Sequence, residues 1–116
     1  MATGAPVPVL KGTLDVLVLK ALSWQPMHGF GIVSTLEQRS GGALGIEDSA
    51  LYQALQRLEE RGLVQAEWRL SENNRRARYY TLTTAGRREL RTQTTSWLQY
   101  AGAVTQILQS PTRGTA

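Results

Sequence analysis

The sequence predicts a mainly α-helical fold with one small β-hairpin. Three observations predict it: two apolar segments of helical period near the N-terminus, a helix from Asp48 to Arg61 whose two faces differ in chemistry, and an alternating hairpin directly after Gly62. A long final segment adds a last helix.

The first helix is read from Leu10. Leu10, Leu14, Leu17, Val18, Ala21 and Leu22 keep helical spacing, and Val16 and Leu19 widen the apolar surface beyond one stripe. A helix that apolar needs a second surface to pack against. Trp24 to Gly29 breaks the pattern, because Pro26 disfavours helix at the residue before it. The second helix is expected from Gly29 to Arg39, burying Phe30, Val33 and Leu36, with Ser40 to Gly45 as a flexible connector.

The third helix carries the strongest functional signal. Leu51, Ala54, Leu55 and Leu58 form its apolar face, while Ser49, Tyr52, Gln53, Gln56 and Arg57 lie opposite. That second face is polar and aromatic without the Lys/Glu pairs of a merely solvated one. Asp48 is read as the cap at its start, and Gly62 as the left-handed residue past its end.

From Leu63 to Leu70 the chain alternates, with Val64, Ala66, Trp68 and Leu70 on one face and Gln65, Glu67 and Arg69 on the other. A second strand, Arg78 to Leu82, is expected to turn Tyr80 and Leu82 inward. The intervening Ser71 to Ala77 is polar and turn-prone. Helix followed by a hairpin with a basic tip is the order of a winged helix-turn-helix. The expected reading surface is therefore Ser49, Tyr52, Gln53, Gln56 and Arg57 on the helix, with Asn74, Arg75, Arg76 and Arg78 on the wing.

Charge distribution supports nucleic acid as the partner. The 116-residue chain has a net charge of +4. Between Arg69 and Arg91 seven arginines face two glutamates, so the positive charge sits on the wing and the start of the last helix. The planar, five-donor guanidinium suits phosphate oxygens and base edges.

The final segment begins after a cap at Thr83 or Thr84. Leu90, Thr94, Trp97, Ala101, Val104 and Leu108 then follow at steps of four and three, a seam of the coiled-coil kind interrupted by Thr94 and neighboured by Gly102. With the over-apolar first helix it points to a homodimer interface formed by Leu10, Leu14, Leu17, Trp97, Ala101, Val104 and Leu108. Trp97 also marks an entry for a small aromatic effector, since a two-fold axis beside it brings two indoles together; the plainer reading is that it fills the dimer core. The chain thus divides into a flexible N-terminus (1–8), a winged helix-turn-helix (9–83), a dimerisation helix (84–109) and a disordered tail (110–116).

Catalysis has little to stand on. The only histidine, His28, lies in a tight turn and reads as a helix-start residue; there is no cysteine, so no thiolate metal site or disulfide. Glu59 and Glu60 read as a solvated pair. No cofactor, metal or enzymatic activity is expected. Neither a secretory signal nor a run of ~18 apolar residues is found, so the expectation is a cytoplasmic protein without membrane contact.

The chain resembles the PadR family of bacterial transcriptional regulators, in the short form with a single C-terminal helix. The resemblance runs from about Val9 to Leu108 and rests on Leu17 to Leu22, Pro26 to Ile32, Ser49 to Glu59 and Arg76 to Thr83, in order and at the usual spacing. It implies a winged-helix dimer that represses transcription and in many members is relieved by a small molecule. By the same resemblance Tyr52 and its exposed neighbours belong to the DNA-reading helix, and Arg75, Arg76 and Arg78 to the basic wing. Phe30, Ala50 and Gln53 depart from the family's usual tyrosine, serine or threonine, and proline. The expected function is sequence-specific binding of a palindromic double-stranded DNA operator as a homodimer. The alternative is a winged helix that binds RNA or another protein; it lacks an evident stacking platform because Trp68 and Tyr80 read as core-facing.

Overall fold

The computed structural model describes residues 5–10 and 12–113. Its elements are β1 (Val7–Pro8), α1 (Leu14–Trp24), β2 (Met27–His28), α2 (Gly29–Arg39), β3 (Leu44–Gly45), α3 (Asp48–Glu60), β4 (Val64–Leu70), β5 (Arg76–Leu82) and α4 (Thr84–Leu108). The fold is a winged helix-turn-helix. Its three-stranded antiparallel sheet has the order β2-β5-β4, and β1 pairs in parallel with β3.

One core joins the helices to the base of the hairpin. Val18, Leu19 and Leu22 of α1 meet Ile32 and Leu36 of α2, Leu51, Leu55 and Leu58 of α3, and Val64, Tyr80 and Leu82 of the sheet. Each helix thus buries the stripe its spacing offers.

Four expectations are corrected at the level of single residues. The first helix starts at Leu14 rather than Leu10: Gly12 at φ +90° and a Thr13 N–H donated to the Leu10 carbonyl turn the chain there, leaving Leu10 74% exposed. Phe30 is 77% exposed, not buried, because the inward ridge of α2 is Gly29, Ile32 and Leu36, one residue out of phase with Phe30 and Val33. Asp48 does not cap α3. Glu47 holds the cap position without a side-chain bond to the helix and instead accepts from the Ser49 hydroxyl at 2.9 Å, while Asp48 lies in the first turn, where a carboxylate favours the helix dipole.

Trp68 is the fourth. It shares a face with buried Val64, as alternation requires, yet it is 58% exposed. The hairpin outruns the core: its inner face is covered at Val64, Tyr80 and Leu82 and opens to solvent at Trp68 and Leu70. The second strand also begins earlier than expected, at Arg76, so the tip is shorter.

Other features follow the sequence closely. Gly62 has φ +72°, which ends α3 in the left-handed region, and the Leu63 N–H returns to the Leu58 carbonyl. Thr83 caps α4 by accepting the Gly86 N–H at 2.9 Å and donates to the Gly62 carbonyl at 2.8 Å, tying the end of α3 to the start of α4. His28 caps α2 through Nδ1, which accepts the Gly31 N–H at 3.0 Å. Of the termini expected to be flexible, residues 1–4 and 114–116 lie outside the described residues, and Val7–Pro8 pair with Leu44–Gly45.

Candidate nucleic-acid interface

Burying Leu51, Ala54, Leu55 and Leu58 turns the other side of α3 outward. Ser49, Tyr52, Gln53, Gln56 and Arg57 are all exposed there. The hairpin packs beside this face and leaves a cleft of about 490 Å³, lined by Tyr52, Gln56, Glu59 and Glu60 of α3 with Arg78 and Tyr80 of β5. Three of the expected reading residues, Tyr52, Gln56 and Arg78, therefore meet in one place.

The cleft is organised by one ion pair and one amide hydrogen bond. Arg78 bonds Glu59 at 2.9 Å across it, and the Gln56 amide reaches Glu60 at 3.4 Å. Glu59 and Glu60 stay solvent-accessible, as a solvated pair should, and each also has a partner in the cleft wall. Burial raises the Tyr80 phenol above its ordinary pKa, partly opposed by the Arg78 charge, so it stays neutral.

Tyr52 is fixed from below. A Cβ on Gly29 would stand 2.5 Å from the Tyr52 hydroxyl oxygen, so the glycine lets the ring lie against the first turn of α2. Phe30, the next residue, projects into solvent. Sequence spacing missed it because a single aromatic at a helix start has no period to place it.

Arg57 departs from the group. Its guanidinium is drawn to Asp15 of α1, at 2.7 Å, and the carboxylate's bond raises its pKa further. Asn74, Arg75 and Arg76 lie beyond the cleft at the wing tip. The tip is a tight turn: Asn74 has φ +61°, the Ser71 N–H donates to the Arg75 carbonyl at 2.7 Å, and the Ser71 hydroxyl accepts the Arg75 N–H at 3.3 Å. Among the described residues Arg69 and Arg78 are ion-paired, whereas Arg75 and Arg76 are not. The charges of Arg75 and Arg76 are therefore available to an anion at the tip.

A second surface lies on the other side of α1. An apolar groove of about 870 Å³ runs between the N-terminal segment, α1 and α4, and includes Leu10, Leu17, Leu90, Trp97 and Leu98. The Trp97 indole N–H donates to the Thr13 hydroxyl at 3.1 Å. Leu14 and Leu17 pack partly on the core, Ala101 and Val104 are half-buried, and Leu108 is 77% exposed. No helix among the described residues is long and apolar enough to cross a membrane, and no group of side chains there could hold a metal ion.

These features agree with what known proteins share with the chain. The model of the transcriptional regulator PadR-like family matches residues 18–92, from α1 to the first part of α4. An uncharacterised 37.1 kDa protein in transposon TN4556 of Streptomyces fradiae is 42% identical over 90 residues, which make up 78% of this chain and 24% of that protein. The chain thus spans about a quarter of that relative's length. A PadR family transcriptional regulator from Eggerthella lenta has 32% identity and a TM-score of 0.72, over 87% of this chain and 86% of that one. A PadR family transcription regulator from Clostridium difficile has 25% identity and a TM-score of 0.71, over 84% and 99%. With its winged helix, its exposed α3 face and a family match across most of the described chain, this protein belongs to the PadR-like family of transcriptional regulators.

Proposed function

We propose that the protein is a repressor that binds a palindromic double-stranded DNA operator as a homodimer. The observation that carries this reading is the exposed face of α3 beside a basic hairpin, since a helix of that width enters a major groove while the wing meets the flanking backbone. Gln53 and Gln56 are assigned to base edges, Ser49, Tyr52 and Arg57 to base or phosphate, and Asn74, Arg75, Arg76 and Arg78 to the wing's contact with the duplex.

The homodimer is assigned to α1 and α4. The groove beside Trp97 is apolar and includes Leu98, and the outer part of α4 exposes Tyr100, Ile107 and Leu108, apolar surface of the kind that a second copy covers. Two reading helices then address half-sites about 34–36 Å apart. A flat aromatic effector would act at Trp97, and only by preferring the dimer geometry that does not fit DNA.

The test is a mobility shift of the duplex upstream of the protein's own gene, with single-stranded DNA and RNA as competitors. The expected result is a retarded duplex that neither competitor displaces at equal mass. Displacement by RNA would replace this reading with the RNA-binding one.

A further inference from the structure

The wing carries two large apolar side chains that the core does not use. Trp68 and Leu70 are 58% and 65% exposed. The hairpin register, with Trp68 opposite Arg78 and Leu70 opposite Arg76, puts all four on the face that also bears Tyr80. The Arg76 guanidinium lies over the Trp68 ring, 5.0 Å from its centroid. Since Arg78 and Tyr80 also line the cleft with Tyr52 and Gln56, this face continues the cleft wall outward. A duplex seated on α3 would run along Trp68 and Leu70.

We infer that Trp68 is a platform that aims Arg76 into the minor groove beside the half-site, with the indole and Leu70 packing against the deoxyribose walls. The inference rests on the DNA-binding reading above and adds which side chain holds the wing arginine in place and so sets its preference for flanking bases. Stacking uses only the face of the guanidinium, so its N–H donors, which lie in the plane, stay free for groove acceptors. A side chain already held on a ring also loses less rotamer freedom on binding. Arg69 and Arg78 have carboxylate partners at 2.8 and 2.9 Å, whereas Arg76 has an aromatic partner and no ion pair among the described residues, so no carboxylate has to be released before it meets an anion. Narrow A·T-rich minor grooves concentrate negative potential and draw inserted arginines, and apolar side chains accompany such insertions. The stack fits that partner in both charge and shape.

The experiment begins with duplexes selected from a random library by the full chain. Flanking A·T pairs under the wing are then replaced by G·C or by inosine·C, which has the major-groove edge of G·C but lacks the amino group that G places in the minor groove. For the unmodified protein, G·C flanks should weaken binding by about 5- to 150-fold, the range of about 1–3 kcal/mol that an unfavourable base pair costs. Inosine·C flanks should restore it. Trp68→Ala and Arg76→Ala should each abolish the difference between flanks, with the double variant no worse than either, and Trp68→Phe should keep part of it. A stack that only stabilised the hairpin would alter melting and leave flank preference untouched.

A Trp68→Ala protein with unmodified flank preference, or inosine·C behaving like G·C, overturns the inference while leaving DNA binding in place. Failure to select any duplex overturns the DNA-binding reading and this inference with it. Tighter binding of single strands that Trp68→Ala removes would reassign the platform to base stacking and overturn the minor-groove assignment.

Discussion

Asp15 and Arg57 join the helix that lines the apolar groove to the helix that presents the candidate reading face, through an ion pair of 2.7 Å. The two side chains come from α1 and α3, and they are 22% and 53% exposed respectively. At that exposure the pair contributes no more than about 1 kcal/mol to stability. Its larger effect is on where Arg57 points, because a guanidinium held by Asp15 must leave that partner to reach a phosphate.

Asp15→Asn should therefore leave the fold nearly intact and strengthen DNA binding. Releasing Arg57 removes the cost of breaking the ion pair, at most about 1 kcal/mol or a factor of about five in affinity, while Arg57→Ala should lose one phosphate contact and flatten the slope of log K against log salt by about 0.9. Anisotropy titrations across a salt series, beside a thermal melt, measure both. An unchanged slope for Arg57→Ala would remove Arg57 from the DNA contact.

Arg75→Ala and Gln56→Ala should separate position from specificity. Arg75 is exposed at the wing tip and without an ion pair among the described residues, so its loss should weaken binding to operator and random duplex alike and flatten the salt slope. Gln56 lies in the cleft, where a bidentate base contact is worth roughly 1–3 kcal/mol of discrimination. Its removal should narrow the gap between operator and random duplex. Equal effects on both duplexes would assign Gln56 to the backbone.

Much of this architecture was legible because burial imposes period. Leu51, Ala54, Leu55 and Leu58 fix the inner side of α3, and the outer side follows by geometry; Gly62 and Thr83 announced their turn and cap by residue type. What the sequence hid has a different cause. Alternation puts Trp68 on the same face as Val64 but does not say how far the core extends along a strand, so the exposed Trp68 read as buried. The Asp15–Arg57 pair was equally invisible, since its partners are far apart in sequence and no local pattern links them. Phe30 failed for a third reason: one residue of phase at a helix start moves a side chain from core to solvent.

Gly29→Ala tests how Tyr52 is seated. The added methyl would stand 2.5 Å from the hydroxyl oxygen and 2.8 Å from the nearest ring carbon, so the ring must move. Because Tyr52 is 52% exposed the ring can swing into solvent, so the cost falls below that of overpacking in a closed core, about 1–3 kcal/mol. Combined with Tyr52→Ala the clash disappears, and the double variant should melt like Tyr52→Ala alone. Additive losses in denaturant titrations would show that Gly29 is needed for some other reason.

Alkaline pH offers an independent probe of the cleft wall. Burial raises the folded-state pKa of Tyr80 above the usual value of about 10 for tyrosine. The folded state thus holds that proton more tightly than the unfolded chain. The resulting stability is complete below the unfolded pKa and is lost as pH rises toward the folded one. Melts from pH 9 to 11 should fall more steeply for the native sequence than for Tyr80→Phe; parallel slopes would show that the phenol does not resist ionisation.

The proposed dimer is tested best on the outer half of α4. From Tyr100 to Leu108 every residue is exposed except Ala101 and Val104, which are half-buried, and the 25-residue helix is about 37 Å long. Val104 lies outside the core that joins α1, α2, α3 and the sheet, so a charge there should not unfold a single copy. In a dimer seam the same charge would be buried twice without a partner, at several kcal/mol per copy. Val104→Asp should therefore sediment as a folded monomer with native helix content, and it should lose operator affinity because two linked reading heads become one. A variant that remains a folded dimer would exclude this half of α4 from the interface, and the pairing surface would then have to be sought along the groove between α1 and Trp97.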